Sequence, residues 1–100
     1  MSTLASFQTI GVVGSGAMGR GIAQLMAQSG VPVRLFDTNP AALASAIAAV
    51  AETFAKLAEK GRMTPADSQA STARLSSVDT LQALAGCDLV IEAIVERLDV

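Results

Sequence analysis

Histidine, tyrosine and tryptophan are absent from this 100-residue chain, and Cys87 is its only cysteine. With one thiol and no imidazole, a disulfide framework and a Cys/His zinc site are both excluded within the chain, and no metal is expected. The same gaps exclude any catalytic step that needs a His or Tyr acid/base, the commonest device in alcohol and ketone chemistry. If the chain belongs to an enzyme, it is only part of the machinery. Charge of one sign is also lacking: seven basic and nine acidic residues leave a net charge of −2. Bulk electrostatics therefore favours neither a nucleic-acid backbone nor an anionic membrane surface, and neither is expected as a partner. Long apolar runs are missing too. The longest low-polarity stretch, Ala41 to Ala51, is closed by Glu52 and falls short of the roughly 20 residues a membrane span needs. Residues 1–8 show no basic n-region and no cleavage-type segment, so no signal peptide is expected and the chain is assigned to the cytoplasm.

What is present suits a folded core. The chain is 51% hydrophobic and 16% charged, which excludes a disordered polymer, and its length allows one domain. Thr9 to Val13 is a short β-branched run ending at Gly14, as in a strand buried on both faces of a parallel sheet. Between Met18 and Ser29 the residues Ile22, Leu25, Met26 and Ser29 recur at helical spacing, with Ala23 and Ala27 as small contacts, and Gly30 supplies a left-handed stop. Val31 to Phe36 reads as a second strand, with Pro32 tolerated at its start. Asn39-Pro40 opens a long helix whose stripe is Leu43, Ile47, Val50, Phe54 and Leu57, and Lys60-Gly61 closes it. That stripe is expected to be ordinary core packing. Thr64-Pro65 starts a shorter helix to about Ala73, completing a helical hairpin. A short strand over Leu75 to Val78, a turn or two capped by Asp79 and ending at Gly86, and a last strand from Cys87 to Ile94 follow. Cys87 is expected to be a small core group. Strands alternating with helices predict an α/β fold with a doubly wound parallel sheet, the hairpin being an insertion.

One motif carries chemistry. Gly14-Ser15-Gly16-Ala17-Met18-Gly19 fits the pattern G-x-G-x-x-G, follows a strand, opens a helix, and is answered by Asp37 at the end of the next strand. Gly14 permits a tight turn, Gly16 lets a pyrophosphate approach bare backbone, and Gly19 lets the helix lie close to the sheet. The helix's first N–H groups and its positive end would face the diphosphate. The Asp37 carboxylate suits a ribose hydroxyl and repels a 2′-phosphate, and Thr38-Asn39 offers no arginine to hold one, so NAD is expected over NADP. The plainer alternative is a glycine-rich turn with a solvated aspartate at the strand end.

On these residues the chain resembles a family. Ile-Gly-Val-Val-Gly-Ser-Gly-Ala-Met-Gly-Arg-Gly-Ile-Ala, from Ile10 to Ala23, is similar to the opening of the 3-hydroxyacyl-CoA dehydrogenases, including bacterial 3-hydroxybutyryl-CoA dehydrogenases. Asp88-Leu-Val-Ile-Glu-Ala-Ile-Val-Glu96 matches a second, more selective segment, and the hairpin matches in length and place. The resemblance implies oxidation of the 3-hydroxyl of an acyl-CoA with hydride transfer to NAD. It implies that residues Gly14, Ser15, Gly16, Ala17, Met18, Gly19 and Asp37 hold the ADP half of the cofactor, with Glu96 beside its ribose–nicotinamide end. Thr53 and Lys60, seven residues apart on one helix face, stand where the family contacts coenzyme A. Glu96 read alone is a solvated acid after a strand, and Lys60 alone compensates a helix dipole.

The family's catalytic His–Glu pair, and the Ser and Asn that position substrate, fall beyond residue 100, so no catalytic residue is expected here. By the same resemblance the chain is the first half of a Rossmann domain, cut from a longer enzyme and inactive alone. Its final strand, Cys87 to Ile94, would be an edge prone to self-association, and the protein is expected to be a homo-oligomer. Two other readings stay open: a related β-hydroxyacid dehydrogenase, or a non-catalytic nucleotide-binding or redox-sensing module.

Overall fold

The structure is a computed structural model that describes residues 8–94. Asp88 sets the starting level of its sheet. One carboxylate oxygen, Oδ2, accepts the backbone N–H of Gln8 at 2.6 Å and of Thr9 at 2.9 Å. The first and last strands consequently begin side by side, although they lie at opposite ends of the sequence.

In chain order the elements are β1 (Ile10–Val13), α1 (Ala17–Gln28), β2 (Val33–Phe36), α2 (Pro40–Glu59), α3 (Pro65–Ala73), β3 (Leu75–Ser77), a 3₁₀ helix (Leu81–Leu84) and β4 (Leu89–Glu92). The four strands are parallel and ordered β3-β2-β1-β4. Parallel strands need crossovers, which α1 and the α2–α3 hairpin supply. Both central strands are buried, with Ile10, Val12, Val33 and Leu35 wholly enclosed. The α/β class, the doubly wound sheet and the hairpin insertion expected from the sequence are all observed.

Local chemistry sets most helix ends. The Asn39 side chain accepts the N–H groups of Ala41 and Ala42, and Pro40 takes the first helical position, where it has no donor to lose. Thr64 caps α3 through the Asp67 N–H. Gly30 and Gly61 follow α1 and α2 with positive φ. The α2 stripe is core as expected: Leu43, Val50 and Phe54 are buried, joined by Ala46, while Ile47 and Leu57 pack partly buried against them. An eighteen-residue stretch of α2 has a mean hydropathy of 1.5, sufficient by length and composition for a membrane span and more than the short alanine run suggests. Its large side chains are spent within the fold, where α2 meets α1, α3 and β3.

Four expectations need correction. The fully buried face of α1 is Gly19 with the two small contacts expected, Ala23 and Ala27; of the larger set, Ile22 and Met26 pack only partly buried against the core and Leu25 is 57% exposed. Small residues let the helix axis settle close to the sheet, which leaves larger neighbours on the flanks. The second strand begins at Val33, not Val31, because the Val31 N–H still bonds back to Met26 O of α1 at 3.0 Å. The turn before β4 is capped by Thr80, whose hydroxyl accepts the Ala83 N–H, and not by Asp79. Finally, β4 is shorter than the expected Cys87 to Ile94. The Cys87 N–H bonds back to Leu84, so this half-buried thiol belongs to the turn.

Candidate functional site

β1 ends at Gly14 because the backbone there adopts φ +108°, a conformation that suits glycine. The Gly14 N–H donates to Phe36 O at 2.8 Å, and the Ala93 N–H donates to Val13 O at 2.8 Å. A Cβ on Gly14 would stand 2.8 Å from the Ala93 carbonyl oxygen. The loop is thus wedged between the carboxyl ends of β2 and β4. A Cβ on Gly19 would run into the Gly14 carbonyl, so this glycine is what allows α1 to sit against the loop.

Gly16 differs from both. Its backbone is extended, and a Cβ there would meet no atom within 4 Å. It is the N-cap of α1, yet no side chain caps that helix and its first turn holds no acid. Among the described residues the other three helices each have a side-chain cap. The first-turn N–H groups over exposed Gly16, Ala17 and Met18 therefore have no acceptor among the described residues, and a helix start of this kind attracts an anion.

Asp37 follows β2 and reaches across to the loop. Its Oδ2 accepts both the Ser15 N–H at 2.8 Å and the Ser15 hydroxyl at 2.6 Å; its Oδ1 accepts the Asn39 N–H at 2.8 Å. The Ser15 hydroxyl, foremost, and the Asn39 N–H hold its pKa below the ordinary 3.8 against the opposing effect of burial, with the Ser15 N–H the least of the contributions. The carboxylate is ionised at neutral pH. A cavity of about 230 Å³ opens beside it, lined by Gly14, Ser15, Gly16, Asp37, Thr38 and Ala93, with Val13 and Ile94 at its sides.

The structure gathers the expected loop and Asp37 into one site at the ends of β1, β2 and β4. Ala93 and Ile94 are additions that sequence reasoning missed, because their position depends on where β4 docks, and Thr38 joins them as the neighbour of Asp37 after β2. Ser15 does something unexpected: both of its donors serve Asp37. Thr53 and Lys60 lie elsewhere. Thr53 donates its hydroxyl to Ala49 O at 3.0 Å and lines a crevice between α1 and α2, while Lys60 is the exposed C-cap of α2. Glu96 lies outside the described residues.

A parallel sheet whose first strand passes through a bare glycine loop into an uncapped helix, with a carboxylate closing the second strand, defines a dinucleotide-binding domain of the doubly wound class. Comparison with known proteins then narrows the class. The chain belongs to the family described as "3-hydroxyacyl-CoA dehydrogenase, NAD binding domain", whose model matches residues 9–100. It is 41% identical over 93 residues to a 3-hydroxyadipyl-CoA dehydrogenase of Escherichia coli, covering 93% of this chain and 20% of that protein. A probable 3-hydroxybutyryl-CoA dehydrogenase of Bacillus subtilis is 39% identical over 87 residues, which is 87% of this chain and 30% of the relative. Among solved structures, an (S)-3-hydroxybutyryl-CoA dehydrogenase from Ralstonia eutropha superposes with a TM-score of 0.85 at 38% identity, covering 93% of this chain and 33% of that one. The chain thus spans between a fifth and a third of the length of these relatives.

The residues present fit NAD. Open space over Gly16 and unclaimed first-turn N–H groups suit a diphosphate, and the ionised Asp37 suits a ribose hydroxyl.

Proposed function

We propose that this chain is the NAD-holding part of an oxidoreductase that converts a 3-hydroxyacyl-CoA to the 3-oxoacyl-CoA. The observation that carries the reading is the uncapped start of α1 above an open Gly16, facing the same cavity as Asp37. When bound, NAD accepts a hydride from the carbon bearing the substrate hydroxyl. The chain's own residues bind and orient: first-turn N–H groups from Gly16 to Gly19 hold the diphosphate, Asp37 accepts from the adenosine ribose, and Glu96, by its match to the family's segment, is assigned to the ribose–nicotinamide end. Thr53 and Lys60 meet the coenzyme A portion, the ammonium pairing with a phosphate. The proton from the hydroxyl goes to a histidine supplied by a further segment, since these residues include none. The cytoplasmic setting and a homo-oligomeric assembly belong to the same reading. Among the described residues β4 pairs with β1 alone, and Leu89 is 40% and Val90 44% accessible, so the 100-residue chain by itself is open to association through that strand.

Titration with NAD, ADP-ribose and NADP tests the cofactor assignment. ADP-ribose is expected to bind nearly as well as NAD, and NADP more weakly; absence of NAD binding, or tighter binding of NADP, would overturn it. Assaying the whole enzyme with 3-hydroxyacyl-CoA against free 3-hydroxy acids tests the substrate, and equal rates on both would defeat the CoA assignment.

A further inference from the structure

The Asp37 carboxylate is more heavily engaged than ribose recognition requires. An ionised carboxylate offers about four acceptor positions. Both on Oδ2 are taken, by the N–H and the hydroxyl of Ser15, and one on Oδ1 is taken by the Asn39 N–H. A single position, on Oδ1, is left for an incoming hydroxyl. Ser15 itself is 5% exposed and has turned both its donors away from the diphosphate position.

We propose that Ser15 is a positioning residue that sets dinucleotide choice: its hydroxyl locks the Asp37 carboxylate in place, so that one ribose hydroxyl is accepted and a 2′-phosphate cannot displace the charge. The inference rests on the NAD reading above. An aspartate at a strand end, held only by its own turn, escapes a neighbouring phosphate by changing rotamer, at a modest cost. Here that rotation would break the 2.6 Å bond from a buried hydroxyl to an anion, one of the stronger hydrogen-bond types. The serine hydroxyl thereby converts a movable negative charge into a fixed one. It also ties the glycine loop to the end of β2, so both recognition elements keep one relative position.

The test compares NAD and NADP dissociation constants for the wild-type protein, Ser15→Ala and Ser15→Thr. Ser15→Ala keeps the backbone donor and removes only the hydroxyl. It is expected to cut the preference for NAD over NADP by about tenfold, the effect of one charge-assisted hydrogen bond. Ser15→Thr retains a hydroxyl and is expected to restore the preference. A merely structural role would weaken both dinucleotides by one common factor, and that result would overturn the inference, as would an unchanged ratio. Should the alanine variant fail to fold, Ser15→Cys, similar in size and a poor donor, is expected to show an intermediate loss of preference; wild-type preference in that variant would also overturn it. Following the Asp37 carboxyl by NMR adds a readout free of nucleotide, with its pKa expected to rise in Ser15→Ala. Failure of the two readings is distinguishable. A wild-type protein that binds neither dinucleotide defeats both, whereas one that binds NAD, with an alanine variant of unchanged preference, defeats only this one.

Discussion

At Gly16 the backbone is extended and the space beyond is open, so alanine there meets nothing in the protein. Gly16→Ala is expected to change stability by no more than about 1 kcal/mol. Its methyl group would occupy diphosphate space, and NAD affinity should fall by about tenfold or more. Denaturant melts and calorimetric titration check the two halves separately. Gly19→Ala should do the opposite, costing about 1–3 kcal/mol of stability as the new methyl forces α1 off the Gly14 carbonyl. Asp37 makes a prediction in pH. Because its pKa is depressed below 3.8 in the fold, its stabilising contribution is complete above the unfolded-state value and is lost as pH falls through the folded one. Thermal melts of the wild type and Asp37→Asn should therefore differ at neutral pH and converge only as pH falls well below the ordinary 3.8, through the depressed folded-state value.

Among the elements, α1 and α2 begin in contrasting ways, and each start implies a substitution. Asn39→Ala removes the acceptor for two N–H groups and should cost about 1 kcal/mol, read from the melting temperature. Gly16→Asp would give α1 the side-chain cap it lacks, leaving the fold as stable or slightly more so, while the added charge expels the diphosphate; retained NAD affinity would contradict this. Phe54→Ala, at a fully buried position of α2, should cost about 3–5 kcal/mol. The same contrast explains what was legible beforehand. The bounds of α2 and α3 could be read because Asn39-Pro40 and Thr64-Pro65 act on their own next turn. Gly19, Ala23 and Ala27 were legible as close contacts of α1, but not that they are buried more completely than Ile22, Leu25 and Met26, because small residues carry little hydrophobic signal and are inside owing to close packing. Within the site, the glycine spacing and Asp37 were legible as a motif that spans one βαβ unit. Ala93 and Ile94 were not, since they join the cavity only through the docking of β4. Nor was the Ser15–Asp37 bond, which depends on side-chain direction across 22 positions.

For the molecule as a whole, β4 pairs with β1 alone among the described residues, and Leu89, Val90 and Ile94 are 40%, 44% and 61% exposed. Light scattering on the 100-residue chain should show concentration-dependent association, and Val90→Lys should reduce it; a monomer at high concentration would count against the β4 interface. The same chain, having no histidine, should produce no NADH from a 3-hydroxyacyl-CoA. The strand register has one more implication. Val13 stands opposite both Phe36 and Glu92, so three strands finish on one line and Gly14, Asp37 and Ala93 emerge from it in a row. The grip on the phosphates and the choice of ribose are thus spaced like rungs on a ladder. Slipping one extra residue into β2 would carry the carboxylate on by about 3.3 Å and flip it to the opposite side of the sheet. Cofactor discrimination would disappear, and both donors of Ser15 would lose the acceptor that ties the glycine turn to β2.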